Sequence, residues 1–271
     1  MTSNTHTYQT ILVLSGKGGV GKSTVSVQLA KLLSQQKRDS RPLKVGVLDI
    51  DLCGPSLVRM FGLDKGSIHQ SSSGWVPVYT DDSKVLGLIS IAFLLSDKDA
   101  PVIWRGPKKN ATIRQFLEDV HWGDIDYLVI DTPPGTSDEH LSCVEILSKH
   151  EQSLSALIVS TPQQVAISDV RKEISFCRKL KVPILGVIEN MSGYQCTHCG
   201  ECTNIFSKGG VQNLCQSTNV PFLGRVPIDP QLATLVDQGK LVKTNLSSQQ
   251  FPALKALETV VEQTIIGKKP S

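Results

Sequence analysis

A strand, a glycine-rich turn and a helix in immediate succession constrain this chain more than any other feature. Ile11-Leu12-Val13-Leu14-Ser15 is an apolar run long enough for one buried strand. Gly16-Lys17-Gly18-Gly19-Val20-Gly21-Lys22-Ser23-Thr24 follows, and then Val25, Leu29, Leu32 and Leu33 recur on one helical face. In that context the turn reads as a phosphate loop. Its glycines let backbone N–H groups approach phosphate oxygens, and the next helix points its positive end at them. Lys22 brings a charge to the β and γ phosphates of a nucleotide such as ATP, and the Ser23 hydroxyl is set to ligate Mg²⁺. The bland alternative is an ordinary glycine-rich turn opening a helix, and the complete pattern with its flanks argues against it. Lys17 is one lysine more than the cradle needs. It sits at the loop's leading edge and is expected to point away from its own phosphates.

Downstream, strands and helices keep alternating. Residues 35–41 are polar and read as a loop, and Leu43-Lys44-Val45-Gly46-Val47-Leu48 reads as a second buried strand. A short helix is expected over 56–61, and a hairpin or irregular excursion over 64–84. Further strands are expected over 85–91, 127–131, 154–160, 184–189 and 222–227, with helices over 111–120, 164–180, 230–239 and 251–266. This order predicts an α/β protein: a single doubly wound, mostly parallel sheet with helices on both faces and right-handed crossovers. A chain of 271 residues can bury its own core in one domain, here 11–266, with short tails at 1–10 and 267–271.

Acidic residues close two of the strands. Asp131 is placed to hold the Mg²⁺ shell, and a structural acid at a strand end is the alternative. Asp49 and Asp51 lie where ligands bind an open parallel sheet, and Asp51 is the preferred group for positioning the attacking water. Gly135, after Pro133 and Pro134, is expected to offer its N–H to a γ-phosphate. Asn190 is expected to read the adenine edge, with Pro227 and its neighbours Val226, Ile228 and Asp229 against the ring. An Asn or Pro after a strand is also common loop chemistry.

Cysteine usage is uneven. Cys53, Cys143, Cys177 and Cys215 are scattered, whereas Cys196, Cys199 and Cys202 fall at two-residue gaps. Cys-x-x-Cys lets two thiolates approach one metal centre. A zinc knuckle completed by His198 or Cys215, a redox pair, and incidental thiols are the alternatives. A redox motif should open a helix after the first strand, and this one does not. A [4Fe–4S] cluster needs four thiolates, which two chains meeting on a twofold axis can supply.

Together, the loop, Asp49-Ile50-Asp51-Leu52-Cys53-Gly54-Pro55-Ser56, Trp104-Arg105-Gly106-Pro107, Asp131-Thr132-Pro133-Pro134-Gly135-Thr136-Ser137-Asp138-Glu139 and Glu189-Asn190-Met191-Ser192-Gly193 resemble the Mrp/NBP35 ATPases. These are iron–sulfur cluster scaffolds of the deviant Walker A (SIMIBI) class of P-loop NTPases. The resemblance covers roughly residues 10–265. It implies a slow Mg²⁺-dependent ATPase whose loop lysine, here Lys17, reaches the nucleotide of a partner subunit. It also implies a cluster bridged between subunits through Cys196 and Cys199. Cys202 is a further candidate ligand, and Thr197 stands where the family commonly has Pro. Met1 to Thr10 hold no cysteine, so the chain resembles the short type, which lacks the N-terminal cluster extension. The implied partners are a second copy or a heterotetramer with the longer member, recipient apoproteins and targeting factors.

Composition excludes little but points the same way. A net charge of +3 argues against nucleic acid or an anionic membrane as main partner. The amphipathic stretch 251–266 carries only Lys255 against Glu258 and Glu262, so membrane targeting is not expected. A polar start without a targeting pattern makes cytoplasm, and the nucleus beside it, the expected compartment. A ParA/MinD-like spatial-organising ATPase and a zinc-binding, nucleotide-dependent metal chaperone are the rival functions.

Overall fold

The apolar runs become strands because both of their faces are covered. The computed structural model describes residues 8–52, 54–71, 74–95, 106–149, 153–195, 201–206, 209–244 and 246–267. Among them, nine strands form one sheet: β1 (Gln9–Leu14), β2 (Val45–Asp49), β3 (Val78–Tyr79), β4 (Leu86–Ser90), β5 (Tyr127–Asp131), β6 (Ser153–Ser160), β7 (Ile184–Gln195), β8 (Cys202–Thr203) and β9 (Phe222–Ile228). Their order is β8-β7-β6-β1-β5-β2-β4-β3, and β9 also pairs with β7. Only β3 and β8 run antiparallel to their neighbours. The remaining pairs are parallel, as the alternation of elements predicts.

Side chains of one strand serve two cores. Ile11 and Val13 of β1 face α1 (Lys22–Gln35), α2 (Leu57–Met60), α7 (Pro230–Asp237) and α8 (Pro252–Val260). Leu12 and Leu14 face α3 (Gly106–Glu118), α4 (Asp138–Lys149), α5 (Gln164–Lys179) and α6 (Gly210–Thr218). Both faces being apolar, the period-two signal vanishes from the sequence and leaves continuous runs. The same alternation divides Tyr127 and Val129 from Leu128 and Ile130 in β5.

Several boundaries differ from the sequence reading. α4 was not foreseen, although Asp138 and Glu139 at its start and His140, Cys143, Val144 and Leu147 on one face are regular helix signals. α6 was missed as well. It is short, uncharged and closed by Asn219 in the left-handed conformation. α3 begins at Gly106, and the last helix passes into a π-helical turn at Val261–Ile266. Residues 69–76 do form a hairpin, His69–Ser71 against Gly74–Val76. Cys53, Trp104, Arg105, Cys196 and Cys199 lie outside the described residues.

One ionic clamp closes the amino-terminal edge. Residues 37–42 form a small hairpin turning at Asp39 and Ser40, both at positive φ. Arg41 grips buried Asp126 with two bonds of 2.8 Å, Arg38 adds a third at 3.2 Å, and the Lys44 N–H donates at 2.8 Å. Burial raises the Asp126 pKa, but the Arg41 and Lys44 bonds and the arginine charges outweigh it and hold the carboxyl below its ordinary range. A depressed carboxylate stabilises the fold above the unfolded pKa and loses that contribution as pH falls. Asp126→Asn is therefore expected to cost roughly 2 kcal/mol at neutral pH. The melting-temperature gap to wild type should narrow on acidification below about pH 4.

Candidate functional site

Winding reverses at β1: β5, β2 and β4 lie on one side of it, β6, β7 and β9 on the other. The carboxyl end of such a strand is where an open α/β sheet leaves a crevice. The loop Ser15–Gly21 leaves β1 into that crevice. Gly16 permits its depth, because a Cβ there would lie 2.4 Å from Asp169 Cβ on α5. Gly21 opens α1 in the left-handed conformation, φ 83° and ψ 24°, and no side chain caps the helix. The first-turn N–H groups of α1 thus have no side-chain acceptor and point at the loop, an arrangement suited to phosphate.

Asp131, at the end of β5, gathers three donor side chains. Its Oδ1 accepts from Lys22 Nζ at 2.9 Å and from Ser26 Oγ at 2.7 Å, and its Oδ2 accepts from Ser23 Oγ at 2.7 Å. Asp131 and Lys22 are both buried. Asp49 is its register neighbour on β2. Asp49 Oδ2 accepts from Ser90 Oγ at 2.9 Å, and Oδ1 from the Asp51 N–H at 3.1 Å. Burial first, then the Asp131 charge, push the Asp49 pKa well up, against the Ser90 bond and Lys22. Two buried carboxyl groups side by side with a serine hydroxyl form a hard oxygen donor set that fits Mg²⁺.

A cavity of about 200 Å³ lies above this cluster, with Lys17, Lys22, Asp51, Ser56 and Pro134 on its walls. Lys17 stands exposed at the lip. Asp51 lines the same cavity as the loop residues, and its Oδ1 accepts from the Gly54 N–H at 3.2 Å. Gly135 already has an acceptor within the fold. Its N–H donates to the Ser15 carbonyl at 2.7 Å, so the turn is tied to the base of the phosphate loop.

A second cavity, about 230 Å³, opens on the far side of the loop between Gly21, Thr24, Asn190, Pro227, Asp229 and Leu232. Asn190 and Pro227 thus line one pocket. The Asn190 side chain does something else too: Nδ2 donates to the Val20 carbonyl at 2.8 Å, and a Cβ on Gly21 would fall 2.3 Å from it. β7, which carries Asn190, runs on to Gln195, and Tyr194 and Gln195 pair antiparallel with Thr203 and Cys202. The phosphate loop and the edge of the cysteine segment are therefore joined by one strand. Glu189, fully buried, steadies it by accepting from Ser192 Oγ at 2.6 Å and Arg225 Nε at 3.2 Å. Cys196 and Cys199 fall outside the described residues, and only the backbone of Cys202 is placed. Cys143, Cys177 and Cys215 are buried and free, their thiols pushed up to about 12, 12 and 11 chiefly by burial.

Sequence reasoning missed Ser26, Ser90 and His140. Ser26 had a signal: it lies one helical turn past Lys22 and must face the same carboxylate. Ser26→Ala removes one of three donors on Asp131. Titration calorimetry with ATP and Mg²⁺ is expected to show a Kd weaker by roughly tenfold, the equivalent of about 1.4 kcal/mol.

Comparison with known proteins follows the geometry. A family model described as the NUBPL iron-transfer P-loop NTPase, of ParA type, matches residues 6–265. A Dictyostelium discoideum protein named cytosolic Fe-S cluster assembly factor NUBP2 homolog is 62% identical over 229 residues, covering 84% of each chain. A nucleotide-binding protein from Archaeoglobus fulgidus, solved in complex with ADP and with cobalt present, superposes with a TM-score of 0.72. It is 38% identical and covers 87% of this chain and 88% of its own. The MinD cell division protein of Aquifex aeolicus shares the fold at 19% identity, TM-score 0.65, over 97% of this chain and 99% of that one.

Proposed function

The chain belongs to the iron-transfer P-loop NTPase family, and on that premise we propose that it assembles a [4Fe–4S] cluster and passes it to apoproteins under control of ATP. The observation that carries this reading is the Asn190 bridge. A change at the phosphate loop acts on the Val20 carbonyl and Gly21, hence on Asn190, and hence on the strand that ends beside Cys196. Nucleotide state and cysteine geometry then share one mechanical element. The cluster is cargo, bridged between two subunits by Cys196 and Cys199, with Cys202 near enough in sequence to take part in transfer. The cytosolic factors among the relatives support a cytoplasmic site of action, with nuclear apoproteins also among the recipients. The working form is a homodimer or a heterotetramer with a longer family member that carries its own N-terminal cluster.

Hydrolysis follows from the residues in place. Lys22 leaves Asp131 for the β and γ phosphates, whose charge exceeds that of one carboxylate. Ser23 and Asp131 would hold Mg²⁺, which neutralises charge on those phosphates. Asp51 orients the attacking water. Gly135 exchanges the Ser15 carbonyl for the γ-phosphate. The adenine ring rests on Pro227, and the loop N–H groups bind the α and β phosphates. Lys17, at the exposed lip, reaches the nucleotide of the facing subunit and ties hydrolysis to dimer contact. Such a site turns over slowly, because half of its charge stabilisation arrives only with the partner.

Anaerobic reconstitution with ferrous iron and sulfide tests the metal. An absorption band at about 400 nm is expected, lost in the Cys196→Ser, Cys199→Ser double variant. A colourless, zinc-loaded protein would overturn the reading. Asn190→Ala tests the coupling. Cluster transfer to an apoprotein is expected to lose its ATP dependence, falling further than hydrolysis does; equal losses would count against the bridge.

A further inference from the structure

His140 is a buried base in the loop that meets the γ-phosphate, and the reaction as described leaves it without a role. It lies in the first turn of α4, five residues after Gly135, and is 1% exposed. Its Nδ1 faces the Ser137 N–H at 3.2 Å and the Ser137 hydroxyl at 3.0 Å. A ring nitrogen that accepts from a backbone N–H carries no proton, so the imidazole proton sits on Nε2. Nε2 is buried and closes no hydrogen bond of ordinary geometry, although the Pro133 carbonyl already lies near enough to act on the ring. A buried donor without an acceptor at bonding distance is costly, so this proton is poised to take a partner. Phe176 of α5 closes the far side, ring edge to ring face, with centroids 5.9 Å apart and planes at 80°. Burial, with the Lys22 charge, holds the imidazole neutral at a pKa of about 4, while Glu139 and the Pro133 carbonyl pull the other way.

The turn between β5 and α4 is thus pinned at two points. Gly135 is tied to Ser15 by its N–H, and Ser137 is tied to His140 by both its donors. We infer that His140 is a positioning residue for γ-phosphate recognition: Nδ1 fixes Ser137 as the pivot of the turn, and Nε2–H takes the Pro133 carbonyl when Gly135 moves from Ser15 to the γ-phosphate. Pro133 and Pro134 have no N–H to offer, so this stretch can be recaptured only through its carbonyls, which require a donor. The Nε2–H is a donor already in place. Movement of the turn reaches α3 as well, because Glu139 accepts from Lys109 at 3.0 Å across the α3–α4 contact. The pivot makes the site respond to ATP and not to ADP.

This inference rests on the ATP-dependent reading above, and the test separates the two. The probes are ADP and a non-hydrolysable ATP analogue, each with Mg²⁺, on the full chain. Wild type should bind both; failure to bind either would overturn the proposed function itself. In Ser137→Ala and His140→Phe, affinity for ADP is expected to stay within about twofold, while the analogue binds roughly tenfold more weakly and kcat falls with it. Equal affinities to wild type for both ligands, or equal losses on both, would overturn the role of His140. Imidazole ¹⁵N–¹H spectra of the wild type give an answer independent of how the variants fold. The Nε2–H resonance of His140 should shift with the analogue and stay put with ADP. A resonance that ignores both, or a proton found on Nδ1, would sink the proposal.

Discussion

The buried contact between Lys22 and Asp131 is the interaction on which the rest of the site depends. Nitrogen and oxygen stand 2.9 Å apart with both side chains out of solvent. An ion pair so placed adds little net stability, since desolvation offsets the attraction, but removing either partner leaves a lone buried charge. Here the pair is completed by Ser23 and Ser26, which bring the donors on the carboxylate to three. The start of α1 is thereby locked to the end of β5. Its value is positional: the contact fixes the start of α1, and with it Lys22, against the carboxylate that ends β5.

Around that contact the fold distributes tasks by strand. β5 supplies Asp131 and the turn of Gly135, β2 supplies Asp49 and leads to Asp51, and β7 carries Asn190 to the Val20 carbonyl. Each strand ends at the same edge because the sheet is parallel, so one crevice collects groups from positions 15 to 229. The consequence for function lies in β7. Its carboxyl half passes from a buried hydrogen bond at the phosphate loop to an antiparallel pair at the border of the cysteine segment. Between those two points Met191 and Gly193 take left-handed backbone and the pairing with β9 shifts register, so the link is a bent strand with a fixed bond at each end.

Much of this was legible in the residues. The phosphate loop, the strand-end acids and the proline-rich turn each require particular residue types at particular spacings, because backbone N–H groups and hard oxygen ligands leave little freedom. The parallel sheet followed from the alternation of long apolar runs with helical stretches. α4 carries regular helix signals that the sequence reading passed over, whereas α6 is short and has no charge to mark its polar side. The sequence context offers Gly135 to a γ-phosphate, and the acceptor it meets in the fold, the Ser15 carbonyl, lies in the distant loop that follows β1. Asn190 was read as a base-edge contact, whereas its amide also holds the loop.

The sequence by itself determined what kind of chemistry the chain can do. It placed a lysine, a serine, three aspartates and a trio of cysteines, and covalent order alone puts Lys22 next to Ser23 and Cys196 three residues from Cys199. Tertiary structure decided which of these groups meet. Asp131 lies 109 residues beyond Lys22, and Asn190 is 170 residues from Val20. Only the crossovers of the sheet bring such partners within hydrogen-bond distance. Hydrogen bonds act over about 3 Å, and no local pattern in the chain records which distant acceptor will fill that space.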